Sequence, residues 1–216
     1  MSIFYSVRRE YDLTHLKESV LTDTPFLLFQ RWLDELVAVK AVADPTAMIV
    51  STVDGKGMPY QRTVLMKSYD DNGFVFFTNQ QSRKGQHIQQ NNQVSLIFPW
   101  LAMERQVIVT GIAEPISAEE NDRYFYSRPL TSQVAAIASA QSQPVASREV
   151  LEKNYQDLLA FYEQNPLKRP AHWGGYCVKP VAIEFWQGGE NRLHDRFSYE
   201  FEANNEPNWS IKRLQP

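Results

Sequence analysis

Residues 47–78 read AMIVSTVDGKGMPYQRTVLMKSYDDNGFVFFT. The stretch contains three short runs of β-branched and aromatic residues, separated by the Gly-containing sequences DGKG at 54–57 and DDNG at 70–73. Such sequences favour tight turns between neighbouring antiparallel strands. We therefore predict a three-stranded antiparallel meander with strands at 47–53, 60–67 and 74–78.

Helices and further strands flank this meander. Thr24 and Pro25 form a cap and first-turn pair, and apolar residues then recur at helical spacing as far as the stop at Asp44-Pro45. A capping box begins at Ser117, and its helix must end by Arg128-Pro129. Other predicted helices are 82–91, 131–140 and 148–164, and other predicted strands are 94–98, 104–113, 176–178, 182–186, 196–201 and 209–214. Strands at both ends with helices between them predict a mainly β fold, an antiparallel barrel that carries helices on its outside.

The composition is that of a globular protein. The 216 residues are 43% hydrophobic and 22% charged with a net charge of -3, which argues against a disordered chain and against a general nucleic-acid binder, since the latter needs a broad basic surface. The lone Cys177 cannot form an internal disulfide, and we expect a buried thiol. Neither a secretory signal nor an apolar run of about 20 residues is present, so we expect a soluble cytoplasmic protein. We divide it into an N-terminal arm, 1–23, and one domain, 24–216.

Several enzyme classes lack support because their motifs are missing. The sequence has no GxxxxGK[ST], HExxH, GxSxG or CxxC pattern, which leaves a P-loop protein, a zincin, an α/β-hydrolase and a thiol-redox enzyme unsupported. The four histidines are far apart and lack the spacing of metal ligands. We therefore expect no metal site.

The positive features concern anion binding. Arg62 and Lys67 lie on one predicted strand, and Ser82-Arg83-Lys84 stands at a predicted helix start, where free backbone N–H groups and the helix dipole favour a phosphate. The alternative for this tripeptide is a solvated helix start. An odd separation of five places Arg62 and Lys67 on opposite faces of a regular strand, so they serve two ligands or a bulge intervenes.

A second cationic cluster lies around the predicted helix end. Tyr124 and Arg128 are i and i+4 on one helix face, and the turn at Pro129 can bring the hydroxyl of Ser132 to the same place. The alternative is an ordinary helix end with a basic residue near its C-terminus.

A third cluster follows Trp186 and a double glycine. Arg192, His194 and Arg196 share one parity, so a strand would present all three side chains along one face. The alternative is the polar outer face of a strand. Adjacent cationic groups repel one another, which favours an anionic or aromatic partner among them.

These segments together closely resemble the pyridoxine (pyridoxamine) 5'-phosphate oxidase family of FMN-binding split barrels. The resemblance runs from about Arg8 to the C-terminus and is carried by several motifs in the same order. They are RREY at 8–11, DPTAM at 44–48, PYQRTVLMK at 59–67, FFTNQQSRK at 76–84, ERQV at 104–107, YFYSRPLTSQ at 124–133 and WQGGENRLHDR at 186–196. The resemblance implies a split β-barrel, antiparallel and Greek-key-like, with peripheral helices.

The resemblance also implies roles for individual residues. The implied FMN contacts are Arg62, Thr63, Val64, Leu65, Met66, Lys67, Phe77, Thr78, Arg83, Lys84, Gln106, Gln141, Ser142, Trp186 and Arg196, some of them from the second subunit of a homodimer. The implied substrate contacts are Arg8, Arg9, Glu10, Tyr11, Lys67, Tyr124, Arg128, Ser132, Arg192, Leu193 and His194. Of these, Arg192 and His194 would be the catalytic pair, which clamps the substrate ring and handles a proton at C4'. Phe77 departs from the family, which often has tyrosine there.

The implied activity is the FMN-dependent oxidation of pyridoxine 5'-phosphate and pyridoxamine 5'-phosphate to pyridoxal 5'-phosphate, with dioxygen as acceptor. The implied assembly is a homodimer whose C-terminal region, about 170–216, serves dimerisation and substrate binding. Two alternatives remain: a split-barrel flavoprotein with another substrate, and a non-catalytic carrier of pyridoxal 5'-phosphate.

Overall fold

The computed structural model describes residues 9–40, 42–203 and 208–216. The helices are α1 (Pro25–Val39), α2 (Arg83–Gln90), α3 (Ala118–Ser127), α4 (Leu130–Ala138) and α5 (Arg148–Tyr162). The strands are β1 (Ala47–Val53), β2 (Pro59–Leu65), β3 (Ser68–Asp70), β4 (Gly73–Asn79), β5 (Gln93–Trp100), β6 (Arg105–Pro115), β7 (Trp173–Gln187), β8 (Asp195–Glu202) and β9 (Asn208–Leu214). Among these helices none is both long and apolar enough to cross a membrane.

All strand pairs in the described sheet are antiparallel. The order is β2-β1-β5-β6-β7-β4-β3, with β8 added beside β7 and β9 beside β8. The two ends of this order are joined by consecutive residues: the N–H of Met66 donates to Thr46 O at 2.9 Å, and that of Lys67 donates to Val75 O at 2.8 Å. The chain thus leaves β1 and joins β4 within one residue, which curls the sheet toward a barrel.

The predicted meander is therefore wrong in its pairing. Both turn sequences form hairpins as expected, β1 with β2 and β3 with β4. However, β2 does not pair with β4, because the chain changes partner between Met66 and Lys67. The single predicted strand 60–67 accordingly ends at Leu65.

Aromatic side chains fill the space between α1 and the concave side of the sheet. Phe29 is fully buried and its ring contacts those of Phe74, Phe98 and Trp100, with centroid separations of 5.0 to 5.4 Å. Burying such rings contributes roughly 1.5–3 kcal/mol each. The helix ends at Val39, earlier than the expected stop, because Lys40 adopts a left-handed conformation with φ 51° and donates its N–H to Val37 O.

Two predicted strands, 176–178 and 182–186, are one continuous strand, β7. The expected break lies near Pro180, which cannot donate to a ladder. Instead Thr110 pairs with Ala182 and Gly111 with Pro180, so Val181 is an extra residue in a β-bulge. The bulge accommodates the proline without ending the strand.

The described part of the arm lies against β6 and β8. Leu16 is buried, and its N–H donates to Oδ2 of Asp195 at 3.0 Å. Glu104 forms an ion pair with Arg9 and accepts from the N–H of Leu13 at 3.1 Å. These contacts hold the segment in place. The division of the chain into an arm, 1–23, and one domain, 24–216, remains a prediction.

Two smaller expectations have different outcomes. The capping box is confirmed: Oγ of Ser117 accepts from the N–H of Glu120 at 3.1 Å, and a carboxylate oxygen of Glu120 accepts from the N–H of Ser117 at 3.2 Å. Cys177 is half-buried rather than buried, and this burial raises the pKa of its thiol. It therefore offers no activated nucleophile.

Candidate active site

A cleft of about 980 Å³ lies where β2, the end of β4 and the start of α2 meet the segment from α3 to the loop after α4. Most of the residues predicted to contact a cofactor or a substrate phosphate line this cleft. They are Arg62, Thr63, Val64, Leu65, Lys67, Phe77, Thr78, Arg83, Lys84, Tyr124, Arg128, Ser132, Gln141 and Ser142. The fold thus unites the first two cationic clusters in one place.

The cleft is strongly basic. Its lining includes the positive side chains Arg62, Lys67, Arg83, Lys84 and Arg128, and no aspartate or glutamate of the described residues. Burial, and then the charge of Arg62, lower the pKa of Lys84 to about 8. Positive charges held this close in a partly buried site repel one another. An anionic ligand would relieve that repulsion.

Lys84 ties three parts of the cleft together. Its Nζ donates to Oγ1 of Thr78 and to Oε1 of Gln141, each at 3.0 Å, and the hydroxyl of Thr78 donates to the same Oε1 at 3.1 Å. These residues come from α2, β4 and the loop after α4. The network fixes the loop that carries Gln141 and Ser142 against the start of α2.

The start of α2 has the geometry that the sequence predicts for an anion site. Ser82 caps the helix, with its Oγ accepting from the N–H of Gly85 at 3.4 Å. A side chain at Gly85 could not be accommodated, because a Cβ there would lie 2.1 Å from the carbonyl oxygen of Gln80. Arg83 is exposed at this end, with Cζ 5.4 Å from the ring centroid of Tyr60.

The parity problem of Arg62 and Lys67 is resolved by the change of strand between them. Arg62 lies on β2, where its Nη1 donates to Val50 O at 3.0 Å and to Oγ1 of Thr52 at 2.8 Å. Lys67 follows the end of β2 and already pairs with Val75 of β4. The alternation of side chains along a single strand therefore does not apply between Arg62 and Lys67, and both side chains line the cleft.

Arg128 is held at the other side of the cleft by aromatic rings. Its Cζ lies 4.9 Å from the ring centroid of Trp173, and its buried Nη1 has no hydrogen-bond partner among the described residues. Burial lowers the pKa of this guanidinium. Trp173 in turn stacks on Phe77 with centroids 5.3 Å apart, and Phe77 stacks on Tyr124 at 4.0 Å. Phe77, which stands where the family often has tyrosine, therefore retains packing contacts with both rings.

The expectation that Tyr124 and Arg128 share a helix face is wrong. Helix α3 ends at Ser127, and Arg128 has an extended backbone with φ -79° and ψ 150°. The following Pro129 disfavours a helical conformation at Arg128. Both side chains nevertheless line the cleft, together with Ser132 in the first turn of α4.

The third cluster lies elsewhere in the protein, around the end of β7. Gln106, Trp186 and Arg196 are direct neighbours across β6, β7 and β8. Arg196 is paired with both carboxylate oxygens of Glu184, at 2.9 and 3.0 Å, and this hydrogen bonding raises its pKa. Other residues predicted to contact the cofactor or the substrate also lie outside the lining of the cleft, and together with this cluster they are Arg9, Glu10, Tyr11, Gln106, Trp186, Arg192, His194 and Arg196.

The expected common face of Arg192, His194 and Arg196 is also wrong. Strand β8 begins only at Asp195, and residues 190–192 form a tight helical turn. Asn191 and Arg192 both have positive φ, 53° and 63°, a conformation that costs energy in residues other than glycine. The turn leaves Arg192 exposed, with no ion-pair or hydrogen-bond partner among the residues that the structure describes.

His194 sits in an aromatic cage. Its ring centroid lies 4.7 Å from that of Trp186 and 5.6 Å from that of Tyr11. Its Nδ1 accepts from the N–H of Gly189 at 3.1 Å, so a neutral His194 carries its proton on Nε2. Tyr11 fits because the neighbouring Gly188 has no side chain: a Cβ there would lie 2.7 Å from the tyrosine ring.

Two family models match the chain. Residues 34–161 match the model described as "Pyridoxamine 5'-phosphate oxidase", and residues 173–216 match that of the "Pyridoxine 5'-phosphate oxidase C-terminal dimerisation region". The chain belongs to the pyridoxamine 5'-phosphate oxidase family. The sequence-based assignment to this family of oxidoreductases is thereby confirmed.

Curated members of the pyridoxamine 5'-phosphate oxidase family resemble the chain over almost their full length. A protein of Idiomarina loihiensis is 51% identical, with 98% of each chain covered. One of Pseudoalteromonas translucida is 52% identical, with 97% of this chain and 98% of the relative covered. Both are described as pyridoxine/pyridoxamine 5'-phosphate oxidases.

Solved structures confirm the split-barrel fold of the family. PhzG from Burkholderia lata 383, solved in complex with tetrahydrophenazine-1-carboxylic acid, has a TM-score of 0.87 at 30% identity and covers 96% of this chain and 100% of its own. A pyridoxamine 5'-phosphate oxidase-related, FMN-binding protein from Nostoc punctiforme has a TM-score of 0.71 at 14% identity, covers 91% of this chain and 100% of its own, and shows the fold alone. Family and neighbours together suggest a flavin cofactor.

The remaining three residues of the family pattern are Met66, Arg8 and Leu193. Met66 is buried in the core with 3% exposure and is absent from the cleft lining. Arg8 lies outside the described residues. Leu193 is 72% exposed.

Sequence reasoning also missed residues that line the cleft, namely Tyr60, Gln61, Asn79, Pro129, Ala135, Ala136, Ser139 and Trp173. Trp173 stands immediately before two glycines, a signal that could have singled it out. The alanines and Ser139 belong to α4 and the residue after it, and their small size keeps that side of the cleft open.

Proposed function

We propose that this protein oxidises pyridoxine 5'-phosphate and pyridoxamine 5'-phosphate at C4' to pyridoxal 5'-phosphate, with FMN in the cleft. The alcohol and dioxygen give the aldehyde and hydrogen peroxide, and the amine additionally consumes water and releases ammonia. The proposal depends chiefly on one observation, a cleft with five positive side chains and no described carboxylate in its lining. Such a cleft suits two phosphate-bearing molecules.

The start of α2 and strand β2 fit FMN. Arg83 and Lys84 lie at a capped helix N-terminus, which favours a phosphate through its free N–H groups and its dipole. Residues 62–65 of β2 line the same cleft. Thr78, Gln141 and Ser142 complete this side, and the lowered pKa of Lys84 is what a site built for an anion would show without one.

The segment from Tyr124 to Ser132 fits the substrate phosphate. Arg128 has a buried Nη1 without a described partner, and a buried donor of this kind is costly unless a ligand satisfies it. Tyr124 and Ser132 line the cleft beside it and bring two hydroxyl groups. Lys67 follows β2 and lines the same cleft, so it could contact either ligand.

In this proposal a homodimer brings the cleft of one subunit together with the third cluster of the other. Trp186, Arg192, His194 and Arg196 lie within the matched dimerisation region, 173–216, and do not line the cleft of their own chain. A second copy would supply them. Aromatic and cationic side chains of that copy would then cover the substrate ring.

When bound, FMN supplies the acceptor for the two electrons that leave C4' as a hydride. The protein's part is to hold the two rings together and to exclude water. His194 is fixed by Gly189 so that Nε2 carries the proton, and it would therefore donate a hydrogen bond to the oxygen or nitrogen on C4' and stabilise the carbonyl or imine that forms there. The proton that the hydroxyl group of the alcohol substrate loses would pass to solvent. Arg192, exposed on its strained turn, would clamp the ring.

An absorbance spectrum before and after anaerobic addition of pyridoxine 5'-phosphate tests the proposal. The oxidised flavin bands should be present in the purified protein and should bleach on addition of the substrate. Under air the protein should then produce hydrogen peroxide steadily. A carrier of pyridoxal 5'-phosphate would produce no peroxide, and a flavoprotein with another substrate would keep its oxidised bands.

Charge removal at the start of α2 tests where FMN binds. The double variant Arg83→Ala, Lys84→Ala should lose FMN at moderate salt, since charge-assisted phosphate contacts contribute roughly 1.5–3 kcal/mol each. The control Arg148→Ala, Lys153→Ala removes two equally charged but exposed side chains of α5. Equal flavin retention in both variants would refute binding of the FMN phosphate at the start of α2.

A further inference from the structure

A buried row of hydrogen bonds lies behind the cleft and joins Arg62 to His87. Nη1 of Arg62 donates to Oγ1 of Thr52 at 2.8 Å, and the same Oγ1 lies 3.0 Å from Nδ1 of His87. Thr52 is completely buried and His87 is 7% exposed. Arg62 alone of these three belongs to the cleft lining, so the row links a ligand-facing cation to a histidine that no part of the proposed reaction uses.

Counting donors gives the direction of each hydrogen bond. Arginine remains protonated in proteins, so Thr52 must accept from Arg62. The hydroxyl then has one proton of its own, which in a fully buried position requires an acceptor. Nδ1 of His87 lies in position to accept it. His87 is therefore neutral, with its ring proton on Nε2.

The surrounding charges favour the same state. Burial lowers the pKa of His87 first, and Arg62 from β2 and Arg83 from its own helix lower it further, while Asp54 after β1 acts in the opposite direction. The ring of Tyr60 lies against the imidazole, with centroids 5.0 Å apart. A protonated ring would also lose its ability to accept from Thr52.

We propose that His87 is a positioning residue, which orients the Thr52 hydroxyl and thereby fixes the guanidinium of Arg62 for ligand binding. Both protons of Nη1 are committed, one to Val50 O and one to Thr52, which leaves the N–H groups on Nε and Nη2 for a ligand. Without an acceptor at His87 the hydroxyl can rotate, and Arg62 loses a fixed partner. This inference rests on the proposed binding of FMN in the cleft.

Three single variants and one double variant test the row in the full-length protein by titration with FMN. His87→Leu and Thr52→Val should each weaken FMN binding about 5- to 20-fold, the expected loss for one hydrogen bond that supports a charged group. The double variant should be no weaker than either single variant, since both break the same row. His87→Asn should stay within about twofold of wild type, because its Oδ1 can stand where Nδ1 stands.

The asparagine variant separates positioning from stability. Leucine is a better helix former than asparagine, so a merely structural role of His87 in α2 predicts that His87→Leu retains FMN better. That order, or wild-type affinity in His87→Leu, would overturn the inference. Nitrogen NMR of the wild-type protein gives a second test: Nδ1 of His87 should show the shift of an unprotonated ring nitrogen, and a protonated Nδ1 would refute it. Failure of the wild-type protein to bind FMN would overturn the proposed function itself.

Discussion

The guanidinium of Arg128 lies over the indole of Trp173, with Cζ 4.9 Å from the ring centroid, and one of its nitrogens is buried without a partner in the described structure. The stacking fixes the plane of the guanidinium and leaves its N–H groups for a ligand. The same cleft is also lined by Arg83 and Lys84 at the start of α2, so one space contains two groups of positive side chains from different elements.

Arg128→Ala should mainly raise the KM for pyridoxine 5'-phosphate. In the proposed complex the arginine would contact a phosphate that does not react, so its interaction would be made about equally in the ground and transition states. Loss of a charged hydrogen bond of roughly 1.5–3 kcal/mol corresponds to an increase in KM of about 10- to 100-fold. Steady-state kinetics would check this, with flavin content measured by absorbance.

Arg123→Ala is the matched control for that experiment. Arg123 is on α3, four residues before Ser127, but its side chain is 79% exposed and pairs only loosely with Glu120 at 3.9 Å. Its removal should leave both constants unchanged. A fall in kcat at saturating substrate for Arg128→Ala, with KM unaltered, would assign this residue to the chemical step instead.

FMN affinity should fall as the pH rises through about 8. Without ligand the pKa of Lys84 is about 8, so above that pH the side chain is mostly neutral and binding of a phosphate must first protonate it. Below that pH the ammonium is already present and this cost disappears. Titrations with FMN between about pH 7 and 9 would measure the slope.

Lys84→Arg tests the cause of that slope. Arginine remains charged over the whole range, so this variant should bind FMN with little dependence on pH. Calorimetry in buffers of different ionisation enthalpy should show proton uptake by wild type near pH 8 and much less by the variant. An equal slope in both proteins would place the titrating group elsewhere.

His194→Ala and Arg192→Ala should lower turnover while FMN remains bound. Both residues belong to the third cluster, outside the cleft lining, and in the proposed dimer they touch the reacting ring rather than the flavin phosphate. Misalignment of the ring lowers kcat, since the hydride must cross a short, directed path. Rapid mixing under anaerobic conditions would measure the rate at which the flavin is reduced.

His194→Asn refines the assignment of the proton. Its side chain can still accept from the N–H of Gly189 but has no donor at the position of Nε2, so it should be as slow as His194→Ala. If the histidine served only to pack against Trp186 and Tyr11, an aromatic replacement such as His194→Phe would restore turnover. Restoration by phenylalanine would reject the role of hydrogen-bond donor.

Most of the fold could be predicted from local sequence, whereas its pairing could not. Strand β1 has the predicted bounds, 47–53, because β-branched residues end abruptly at the DGKG turn. The change of partner between Met66 and Lys67 leaves no such mark, since it depends on which strands lie beside the chain rather than on the chain itself. Parity arguments based on one unbroken strand failed there for this reason.

The candidate site, like the fold, was predictable only where it depends on local sequence. The Ser82 cap and the adjacent Arg83 and Lys84 are local in sequence, and their place at a helix start was predictable. The contact between Arg128 and Trp173 joins residues 45 positions apart, and neither residue type indicates the other. The turn at Asn191 and Arg192 breaks the common face expected for residues 192, 194 and 196, because that expectation assumed extended backbone where two consecutive residues other than glycine have positive φ.

In the proposed dimer each active site is shared between two subunits. The protein should sediment as a dimer of about 50 kDa, twice the chain mass of 25.0 kDa. In that dimer each cleft would take Arg128 from one subunit and His194 from the other. Arg128→Ala and His194→Ala dimers should each be impaired at the pyridoxine 5'-phosphate concentration used. After exchange of subunits, a mixed dimer contains one site with both substitutions and one site with neither.

Random exchange in an equal mixture makes about half of the dimers mixed, so about a quarter of all sites should be restored. Activity at subsaturating substrate should therefore rise well above the mean of the two parent proteins after unfolding and refolding together. Mixing without exchange of subunits is the control and should give that mean. If Arg128 and His194 of the same chain formed the site, every site would keep one substitution, and refolding together would restore nothing.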